Sequence, residues 1–540
     1  MPSGADIIAQ RLYNAGCRHA FGIPGGEVLT LIDALARAGV RFSLCKHENS
    51  GGFMAEGTWH ATGTPGILVA TVGPGVANLV NVVANALQDR VPMIVLTGCV
   101  DAREAATYTH QVFDHRAILA PVTKASFTLA DGAVDVLIDK ALAIAMDGQP
   151  GPVHLDLPIR VAASDQTGDG SMQRAAIAAS APAQSPDLRA ARSALANAQR
   201  PLMIAGVDAL NDNAGTEIAN FIEAFQVPLI TTYKAKGIVP EDHPLVLGGA
   251  GLSPKADEIL MPLVARADVV ILAGYDPIEM RVGWQNPWAD DATVIEFSAV
   301  PNTHYMHQAS LSFVCHTAEG LRSLREGVSV GETWPDNEPS TTRQLLDEAF
   351  PTDEPWGPAA VVDTVRKAAP DNTVVTADTG AHRILLSQMW PCPAPRSLLQ
   401  SSGLCTMGCA VPLAIGHRLA DDAKPVVAFT GDAGLEMVLG ELATLRDLHL
   451  PVIVIVFVDR SLALIEMKQR NSGFDNLAVD FGRANSGGTD FAGVAGAMGG
   501  VGVTAEDRAA LESAVHEALD RETYTVIACP IEMRAYDGRI

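Results

Sequence analysis

The sequence predicts an α/β protein made of three domains, each a doubly wound parallel sheet. Short apolar runs that end in Gly or Asp recur along the 540 residues, and each is followed by a helical stretch. The runs are apolar throughout instead of alternating, as in strands that helices cover on both faces. Ligands bind where such strands end, so these Gly and Asp residues are candidate site residues. The clearest runs occupy residues 65–75, 91–98, 200–206, 267–276, 372–378, 424–432 and 450–459.

Two stretches divide this pattern. Residues 163–186 are small and polar, and residues 331–358 are acidic and contain five Pro. Both compositions are typical of linkers. Cutting the chain there predicts three α/β domains, 1–163, 187–328 and 359–540.

The first and third domains share a local frame. Thr71 opens "TVGPG", and Pro92 begins the next strand 21 residues later. Thr430 opens "TGDAG", and Pro451 begins the next strand, again 21 residues later. This repeated frame predicts two domains of related topology on either side of a different middle α/β domain.

Composition and charge restrict the class of protein. With 48% apolar and 19% charged residues, the chain has enough apolar side chains for buried cores. Its 38 Lys and Arg against 62 Asp and Glu give a formal charge of −24, which argues against nucleic acid as a partner. We find no signal-peptide pattern and no apolar run of membrane-spanning length, and the eight Cys are scattered. We therefore expect a cytoplasmic protein with reduced thiols and no membrane partner.

The strongest chemical signal lies at two neighbouring strand ends. Gly431, Asp432, Ala433 and Gly434 end one strand and open a helix, where backbone amides can hold a diphosphate. Asp459 ends the next strand, so two carboxylates can reach one cation, and oxygen ligands are what Mg²⁺ prefers. The alternative interpretation of Asp432 is a helix N-cap. The second carboxylate favours a metal site.

The span from residue 430 to 461 resembles the diphosphate and Mg²⁺ motif of thiamine diphosphate-dependent enzymes. The resemblance implies that the metal ligands are Asp432, Asp459 and the main-chain carbonyl of Ser461. Ala433 stands in the third position of the motif, as in many acetolactate synthases. Asp459 replaces the ligand Asn of the family, and its extra negative charge beside a diphosphate should increase the dependence on metal.

Other segments resemble the same family, in the family's order and over nearly the whole chain. Residues 21–35, 46–80 and 151–158 are similar to its N-terminal pyrimidine-binding domain. Residues 377–382 and 402–416 are similar to its C-terminal diphosphate-binding domain. The resemblance therefore implies thiamine diphosphate and Mg²⁺ as cofactors.

The resemblance also implies individual roles. Glu48 matches the Glu that protonates the aminopyrimidine ring of the cofactor; read alone, it would be a surface ion pair or a helix cap. Met407 matches the large apolar residue that bends the cofactor; read alone, it would be a core residue. The carbonyl of Cys405 would meet the aminopyrimidine. The remaining implied cofactor contacts are Pro24, Pro74, Asn78, Gly380, Ala381, His382, Gly431, Asp432, Ala433, Gly434, Leu462, Ala463, Leu464 and Ile465.

The branch of the family is indicated by two segments. Residues 109–126 resemble the matching loop of acetolactate synthases, with Gln111 and Lys124 as catalytic candidates. Pyruvate-type decarboxylases carry a His pair in this loop, whereas here only His110 is present before Gln111. Residues 273–286 resemble the FAD-free acetolactate synthases, so we do not expect FAD.

Three departures concern the substrate. Val72 replaces the usual Ser of the glycine-rich turn, and the helix after the metal loop lacks the aromatic residue found in acetolactate synthases. Lys468 stands near that position. With Arg281 it would suit a carboxylate on a larger or more acidic 2-oxo acid. The alternative is that both residues are solvated surface cations.

The resemblance implies decarboxylation of a 2-oxo acid followed by carboligation to a second carbonyl compound, as in acetolactate synthases. One alternative is a decarboxylase that protonates the intermediate, but the sequence offers no evident acid pair for that step. Another is an acyl-CoA lyase or decarboxylase with a nucleotide in the middle domain, for which residues 233–237 supply the basic cluster. A third is a relative without catalysis. Because the family builds each site between subunits, we expect a homodimer or homotetramer.

Overall fold

The computed structural model describes residues 1–167, 179–278, 280–480 and 488–540, which form three six-stranded sheets flanked by helices. Every strand pairing within these sheets is parallel. Of the 18 strands in the described ranges, 14 are buried at every residue or at all but one, as the continuous apolar runs require. The predicted fold class is confirmed.

The first sheet has the order β2-β1-β3-β4-β6-β5. Its strands are β1 (His19–Gly22), β2 (Arg41–Leu44), β3 (Gly66–Ala70), β4 (Met93–Cys99), β5 (Ala125–Thr128) and β6 (Pro152–Pro158). Its helices are α1 (Gly4–Asn14), α2 (Leu29–Ala38), α3 (Glu48–Thr62), α4 (Pro74–Gln88), α5 (Ala102–Ala105), α6 (His115–Leu119), α7 (Val134–Met146) and α8 (Ile159–Ala163).

The middle sheet has a different order, β12-β11-β10-β7-β8-β9, and therefore a different strand connectivity. Its strands are β7 (Pro201–Ala205), β8 (Leu229–Thr232), β9 (Val246–Ala250), β10 (Val269–Ala273), β11 (Thr293–Ser298) and β12 (Leu311–Val314). Its helices are α9 (Pro186–Ala196), α10 (Val207–Asn211), α11 (Gly215–Phe225), α12 (Pro254–Val264) and α13 (Thr317–Arg325).

The acidic segment 331–358 contains a helix, α14 (Glu338–Ala349), which packs against α12. Thr342 and Leu346 form its buried face, and a Pro in the first turn suits a helix start. The side chain of Trp334, just before the helix, is buried and donates to the carbonyl of Pro201 at 2.8 Å. This part of the segment is therefore packed onto the middle sheet.

The third sheet repeats the relative order of the first, as β14-β13-β15-β16-β18-β17. Its strands are β13 (Val374–Ala377), β14 (Leu398–Gln400), β15 (Val426–Gly431), β16 (Val452–Val458), β17 (Val501–Thr504) and β18 (Thr525–Pro530). Its helices are α15 (Pro358–Ala368), α16 (Ala381–Met389), α17 (Ala410–Ala420), α18 (Asp432–Met437), α19 (Glu441–Asp447), α20 (Ala463–Asn471), α21 (Phe491–Ala497) and α22 (Arg508–Leu519). The predicted relation between the first and third topologies is confirmed.

Helices α3 and α17 join the first and third sheets through direct backbone contact. A Cβ on Gly57 would lie 2.3 Å from the Leu413 carbonyl oxygen, and one on Gly416 would lie 1.9 Å from the Met54 carbonyl oxygen. Glycine is therefore required at both positions for the two helices to come this close. Among the helices of the described ranges, none is both long and apolar enough to cross a membrane.

Candidate active site

Asp432 and Asp459 lie at the carboxyl ends of the neighbouring strands β15 and β16. The amide of Arg460 donates to Asp432 Oδ2 at 2.7 Å, and the amide of Ala433 donates to Asp432 Oδ1 at 2.8 Å. Burial raises the pKa of Asp432 to about 6. Burial, and then the negative charge of Asp432, raise the pKa of Asp459 to about 7. A cation between the two carboxylates would relieve both effects.

A cavity opens beside these two carboxylates. Its wall contains most of the predicted cofactor contacts of the third domain and, in addition, Phe457 and Tyr536. The lining residues are Thr379, Gly380, Ala381, His382, Met407, Gly431, Asp432, Ala433, Gly434, Phe457, Asp459, Ser461, Leu462, Ala463, Leu464, Ile465 and Tyr536. The structure thus brings the predicted metal ligands and the predicted diphosphate contacts to one cavity.

Two polar atoms of this cavity have no hydrogen-bond partner among the described residues, namely Thr379 Oγ1 and His382 Nε2. The His382 ring stacks on Phe457 with a centroid distance of 5.4 Å, and burial lowers its pKa to about 3, so the ring is neutral near pH 7. Buried polar atoms are normally paired. A polar ligand in this cavity would supply the missing partners.

The segment that carries Met407 is held by Asp378, a residue that the sequence analysis did not single out. Asp378 follows β13 and accepts from the amide of Gly408 at 2.8 Å, from Thr379 at 2.8 Å and from the Thr430 hydroxyl at 2.9 Å. Its carboxyl is buried, and burial raises its pKa. An Asp at a strand end was the available signal, because the same pattern identified Asp432 and Asp459.

Cys405 lies beside this cavity without lining it. Its thiol donates to the Ser402 carbonyl at 3.2 Å and accepts from the Arg383 guanidinium at 3.4 Å. Its backbone has a φ of 49°, a left-handed conformation that is uncommon outside glycine. The thiol is thus used within the loop, and the predicted role of the Cys405 carbonyl stays a prediction.

Glu48 begins α3 at the carboxyl edge of the first sheet. The side-chain amide of Asn78 in α4 donates to Glu48 Oε2 at 2.9 Å, so the structure brings these two predicted residues together. Glu48 is only 4% exposed. Pro24 follows β1 and Pro74 begins α4, which places both at the same edge with exposed side chains.

Gln111 lies beside the glycine-rich turn at this edge. A Cβ on Gly73, which has a φ of 68°, would lie 2.3 Å from the Gln111 carbonyl oxygen, so only glycine fits there. The amide of Gly73 donates to His115 Nε2 at 3.2 Å, and His115 Nδ1 donates to Asp156 Oδ1 at 2.9 Å. The buried His115–Asp156 pair, which the sequence analysis missed, thus holds the turn.

Lys124 lies at the opposite edge of the first sheet. It precedes β5, its amide donates to the carbonyl of Pro152 at the start of β6, and its ammonium donates to the carbonyl of Asp147. The strands are parallel, so the amino ends of β5 and β6 lie away from the carboxyl edge that holds Glu48. Within one chain the structure does not bring Lys124 together with the other predicted residues. Its position in the motif alone did not reveal whether this residue lies at the amino end or the carboxyl end of the strand.

The three residues that the sequence analysis connected with the substrate differ in their exposure to solvent. Val72 is buried at the first edge. Lys468 and Arg281 are both exposed, as solvated surface cations would be. Their binding of a substrate carboxylate stays a prediction.

The two lysines of residues 233–237 are already paired with carboxylates. Lys234 Nζ lies 2.7 Å from Asp89 Oδ2, and Lys236 Nζ lies 2.7 Å from Glu241 Oε1. Their charges are neutralised inside the protein, so this segment is not a basic surface for a nucleotide. The acyl-CoA alternative loses the sequence feature that favoured it.

The first edge makes polar contacts with the third part of the chain, among them a hydrogen bond from the amide of Lys46 to Glu441 Oε1 at 2.9 Å. The side-chain amide of Asn81 in α4 donates at 3.1 Å to both Asn49 Oδ1 and Thr406 Oγ1, which immediately precedes Met407. The cavity beside Asp432 is nevertheless lined entirely by residues 379–536, all from the third part of the chain. Glu48 is not part of its wall.

The arrangement fits the diphosphate group of thiamine diphosphate together with a Mg²⁺ ion. Two buried carboxylates supply oxygen ligands, and Thr379 and His382 offer unpartnered polar atoms beside them. In the described ranges, no three His, Cys, Asp or Glu side chains cluster as a metal site, so Mg²⁺ held by Asp432 and Asp459 would take further oxygens from the main chain and the cofactor.

Comparison with known families places the chain in this class of enzyme. Residues 2–118 match the N-terminal TPP binding domain of the thiamine pyrophosphate enzymes. Residues 188–324 match their central domain, and residues 378–529 match their C-terminal TPP binding domain. The chain belongs to the thiamine pyrophosphate enzyme family.

Its relatives narrow the class further. The chain is 30% identical over 485 residues to the acetolactate synthase isozyme 1 large subunit of Escherichia coli (strain K12), covering 86% of this chain and 83% of that protein. It is 30% identical over 552 residues to the acetolactate synthase large subunit of Parasynechococcus marenigrum (strain WH8102), covering 97% and 87%. It is 27% identical over 539 residues to the acetolactate synthase of Bacillus subtilis (strain 168), covering 98% and 93%. Within its family, this chain is therefore acetolactate synthase-like.

Proposed function

We propose that the protein uses thiamine diphosphate and Mg²⁺ to decarboxylate a 2-oxo acid and to join the remaining acyl unit to a second carbonyl compound. The observation that carries this proposal is the pair of buried carboxylates, Asp432 and Asp459, at the wall of a cavity that Met407 also lines. The similarity to acetolactate synthases over nearly the whole chain supports the carboligation step.

When bound, thiamine diphosphate supplies a nucleophilic carbon and an electron sink for the loss of CO₂. Asp432, Asp459 and the carbonyl of Ser461 hold Mg²⁺, and Thr379 and His382 bind diphosphate oxygens. These assignments use the carboxylates that repel each other and the polar atoms that lack partners, so each group gains a favourable contact on binding.

The chain's own residues supply the remaining tasks. Glu48 would hold the proton for the aminopyrimidine ring on its side-chain carboxyl, which the side-chain amide of Asn78 orients. Met407 and Leu464 give the cavity an apolar wall that excludes water. Exclusion of water favours capture of the acyl unit by a second carbonyl compound over its protonation. Gln111, beside the Gly73 turn at the first edge, would contact the substrate.

We propose that the active unit is a homodimer or homotetramer. The cavity lacks residues of the first sheet, and apolar side chains on or just after the two helices that follow its strand ends are strongly exposed: Met437 of α18 at 64%, Ile465 of α20 at 44% and Phe474 at 70%. Such an exposed apolar surface around a site is typical of an interface. The first edge of a second copy, with its Glu48, would cover this surface and complete the site.

We also propose a cytoplasmic location, because all eight Cys are free and six of them are buried. Disulfides are the usual feature of chains that work in oxidising compartments.

The test is incubation of the protein with thiamine diphosphate, Mg²⁺ and a panel of 2-oxo acids, each with and without an aldehyde or a second 2-oxo acid as acceptor. Both CO₂ and the organic product are followed. We expect CO₂ release with a ligated hydroxyketone product for at least one acid. Release of CO₂ with a free aldehyde as sole product would identify a simple decarboxylase and contradict the ligation step. No CO₂ from any acid would contradict the proposed function.

A further inference from the structure

A buried polar cluster lies where the three parts of the chain meet. It consists of Glu56, Asn85 and Asp89 from the first part, Lys234 from the middle part and Ser401 from the third, and is called the junction cluster below. Glu56 and Asn85 are fully buried, and Asp89 is 2% exposed. Buried charges are retained only where partners neutralise them, so each contact of this cluster has an energetic consequence.

Asp89 is the centre of the junction cluster. Its Oδ1 accepts from the amide of Gly403 at 2.6 Å, and its Oδ2 accepts from the amide of Ser402 at 3.1 Å. Two consecutive amides of the third part are therefore held by one carboxylate of the first part. Bonds of amides to a charged acceptor are stronger than neutral ones.

Lys234 supplies the positive charge that keeps this carboxylate in place. Its Nζ lies 2.7 Å from Asp89 Oδ2 and 3.7 Å from Glu56 Oε1, and it donates to the carbonyl of Gln400 at 2.8 Å. The ammonium thus contacts both the carboxylate and the residue that ends β14. Without it, two buried carboxylates would face each other and Asp89 would not keep its position.

Ser401 adds two hydrogen bonds that fix the next part of the same segment. Its hydroxyl donates to Asn85 Oδ1 at 2.7 Å and accepts from the amide of Thr406 at 2.9 Å. The segment from 401 to 408 is thus bonded to Asp89 at its beginning and to Asp378 at its end. Cys405 and Met407 lie between these two anchors.

We propose that Lys234 is a positioning residue for the cofactor, acting through Asp89 on the segment 401–408 that presents Met407 and the carbonyl of Cys405. This inference rests on the proposed function, because it takes Met407 as a cofactor contact. It gives the middle part of the chain a role at the site: the loop after β8 sets the conformation of a segment that follows β14.

Lys236 offers a matched control on the same loop. Its side chain is 3% exposed, against 10% for Lys234, and its ammonium likewise lies 2.7 Å from a carboxylate, in this case Glu241. Glu241 accepts from the amide of Cys392, which lies outside the segment 401–408. Removing Lys236 leaves Glu241 without its cation, as removing Lys234 leaves Asp89 and Glu56, but only Lys234 contacts the anchor of the segment.

The experiment compares Lys234→Met with Lys236→Met in the full-length protein. Hydrogen exchange of the amides of 401–408 is measured without cofactor, and binding of thiamine diphosphate with Mg²⁺ is measured by calorimetry. For Lys234→Met we expect faster exchange at 402, 403 and 406 and a dissociation constant roughly tenfold higher, with the KM for the 2-oxo acid unchanged. For Lys236→Met we expect wild-type exchange in this segment and wild-type cofactor affinity.

A second variant covers the case in which Lys234→Met does not fold. Asp89→Asn keeps the shape of the side chain and removes the charge, and the same loss of protection at 402 and 403 is expected. Unchanged exchange in the segment, or equal loss of cofactor affinity in the two lysine variants, would overturn the proposal. Because exchange is read without cofactor, it remains informative if the wild type fails to bind thiamine diphosphate, a result that would contradict the proposed function instead.

Discussion

The first and third sheets have the same strand order, but their carboxyl edges shift the pKa values of their buried carboxylates in opposite directions. In the first, burial alone would raise the pKa of Asp156, but hydrogen bonds from His115, His154 and Thr97 outweigh it and hold the pKa below its ordinary value. In the third, burial raises the pKa of Asp432, and burial together with Asp432 raises that of Asp459. At the first edge protein groups stabilise the charged carboxylate, while at the third edge burial and a second carboxylate destabilise it.

This difference agrees with the proposal that the metal binds at the third edge and not at the first. At the first edge the polar groups pair with each other: Asn78 with Glu48 at 2.9 Å, and His115 with Asp156 at 2.9 Å. At the third edge two carboxylates adjoin a cavity with unpartnered polar atoms. The same topology therefore pairs its polar groups at one edge and places two carboxylates of raised pKa beside a cavity at the other, which agrees with the proton-transfer and metal-binding roles proposed for them.

The largest effects are expected from one substitution at each edge, and the two should change different measurements. Glu48→Gln should lower turnover roughly 10²- to 10⁴-fold while thiamine diphosphate still binds, because it removes a transferable proton and leaves the metal site intact. Asp432→Asn should lower turnover through cofactor binding, raising its dissociation constant roughly tenfold or more, because a metal ligand loses its charge. Turnover at saturating cofactor and calorimetric binding distinguish the two.

Glu348→Gln, an exposed carboxyl of α14, is the control and should match the wild type in both measurements. Unchanged turnover in Glu48→Gln would contradict its role in proton transfer. Equal cofactor affinity in Asp432→Asn and wild type would contradict the metal site.

A mixture of these two variants, assayed at a cofactor concentration too low to load Asp432→Asn, tests whether the two edges act across subunits. If each site combines Glu48 of one chain with Asp432 of another, a mixed dimer has one intact site and one doubly altered site. After subunit exchange, an equal mixture should recover about a quarter of wild-type activity. If both residues act within one chain, every site stays defective. Activity no higher than that of the separate variants, with exchange verified by mass-tagged chains, would rule out the shared site.

A smaller effect concerns stability and its dependence on pH. A carboxyl whose folded pKa is raised stabilises the fold at low pH, and this contribution is lost as the pH rises through the folded pKa, which is about 7 for Asp459. Asp459→Asn should therefore raise the melting temperature of the metal-free protein at pH 8, by roughly 1–3 °C, and change it little at pH 5. The same variant should reduce the gain in cofactor affinity on adding Mg²⁺.

At the first edge, Asp156→Asn should change the melting temperature at pH 8 in the opposite direction. Its folded pKa is lowered, so its ionised form stabilises the fold above the unfolded pKa and loses this contribution only as the pH falls through the folded pKa. The substitution should lower the melting temperature at pH 8. The melting temperatures are measured by calorimetry in the presence of a chelator. Equal shifts of the melting temperature in the two variants would show that the two edges do not differ electrostatically.

The fold was largely predictable because parallel strands that helices cover leave continuous apolar runs. The proposed metal ligands Asp432 and Asp459 could be singled out because they stand at the ends of those runs. Asp378 stands in the same kind of position and was missed, since its role is to bond amides of a segment that follows another strand. The helix α14 was hidden by an acidic, proline-containing composition typical of linkers.

The sequence by itself determined the fold class, the repeated topology and the residues around the third-sheet cavity, because each follows from local pattern and motif. Only the tertiary structure decided that Lys124 lies at the amino edge, that Lys234 neutralises Asp89, and that His115 pairs with Asp156. These contacts join residues far apart in the chain, and no local pattern encodes their distance. Whether a buried charge finds an opposite charge, a like charge or an open cavity depends on packing in three dimensions, and that packing distinguishes the first edge from the third.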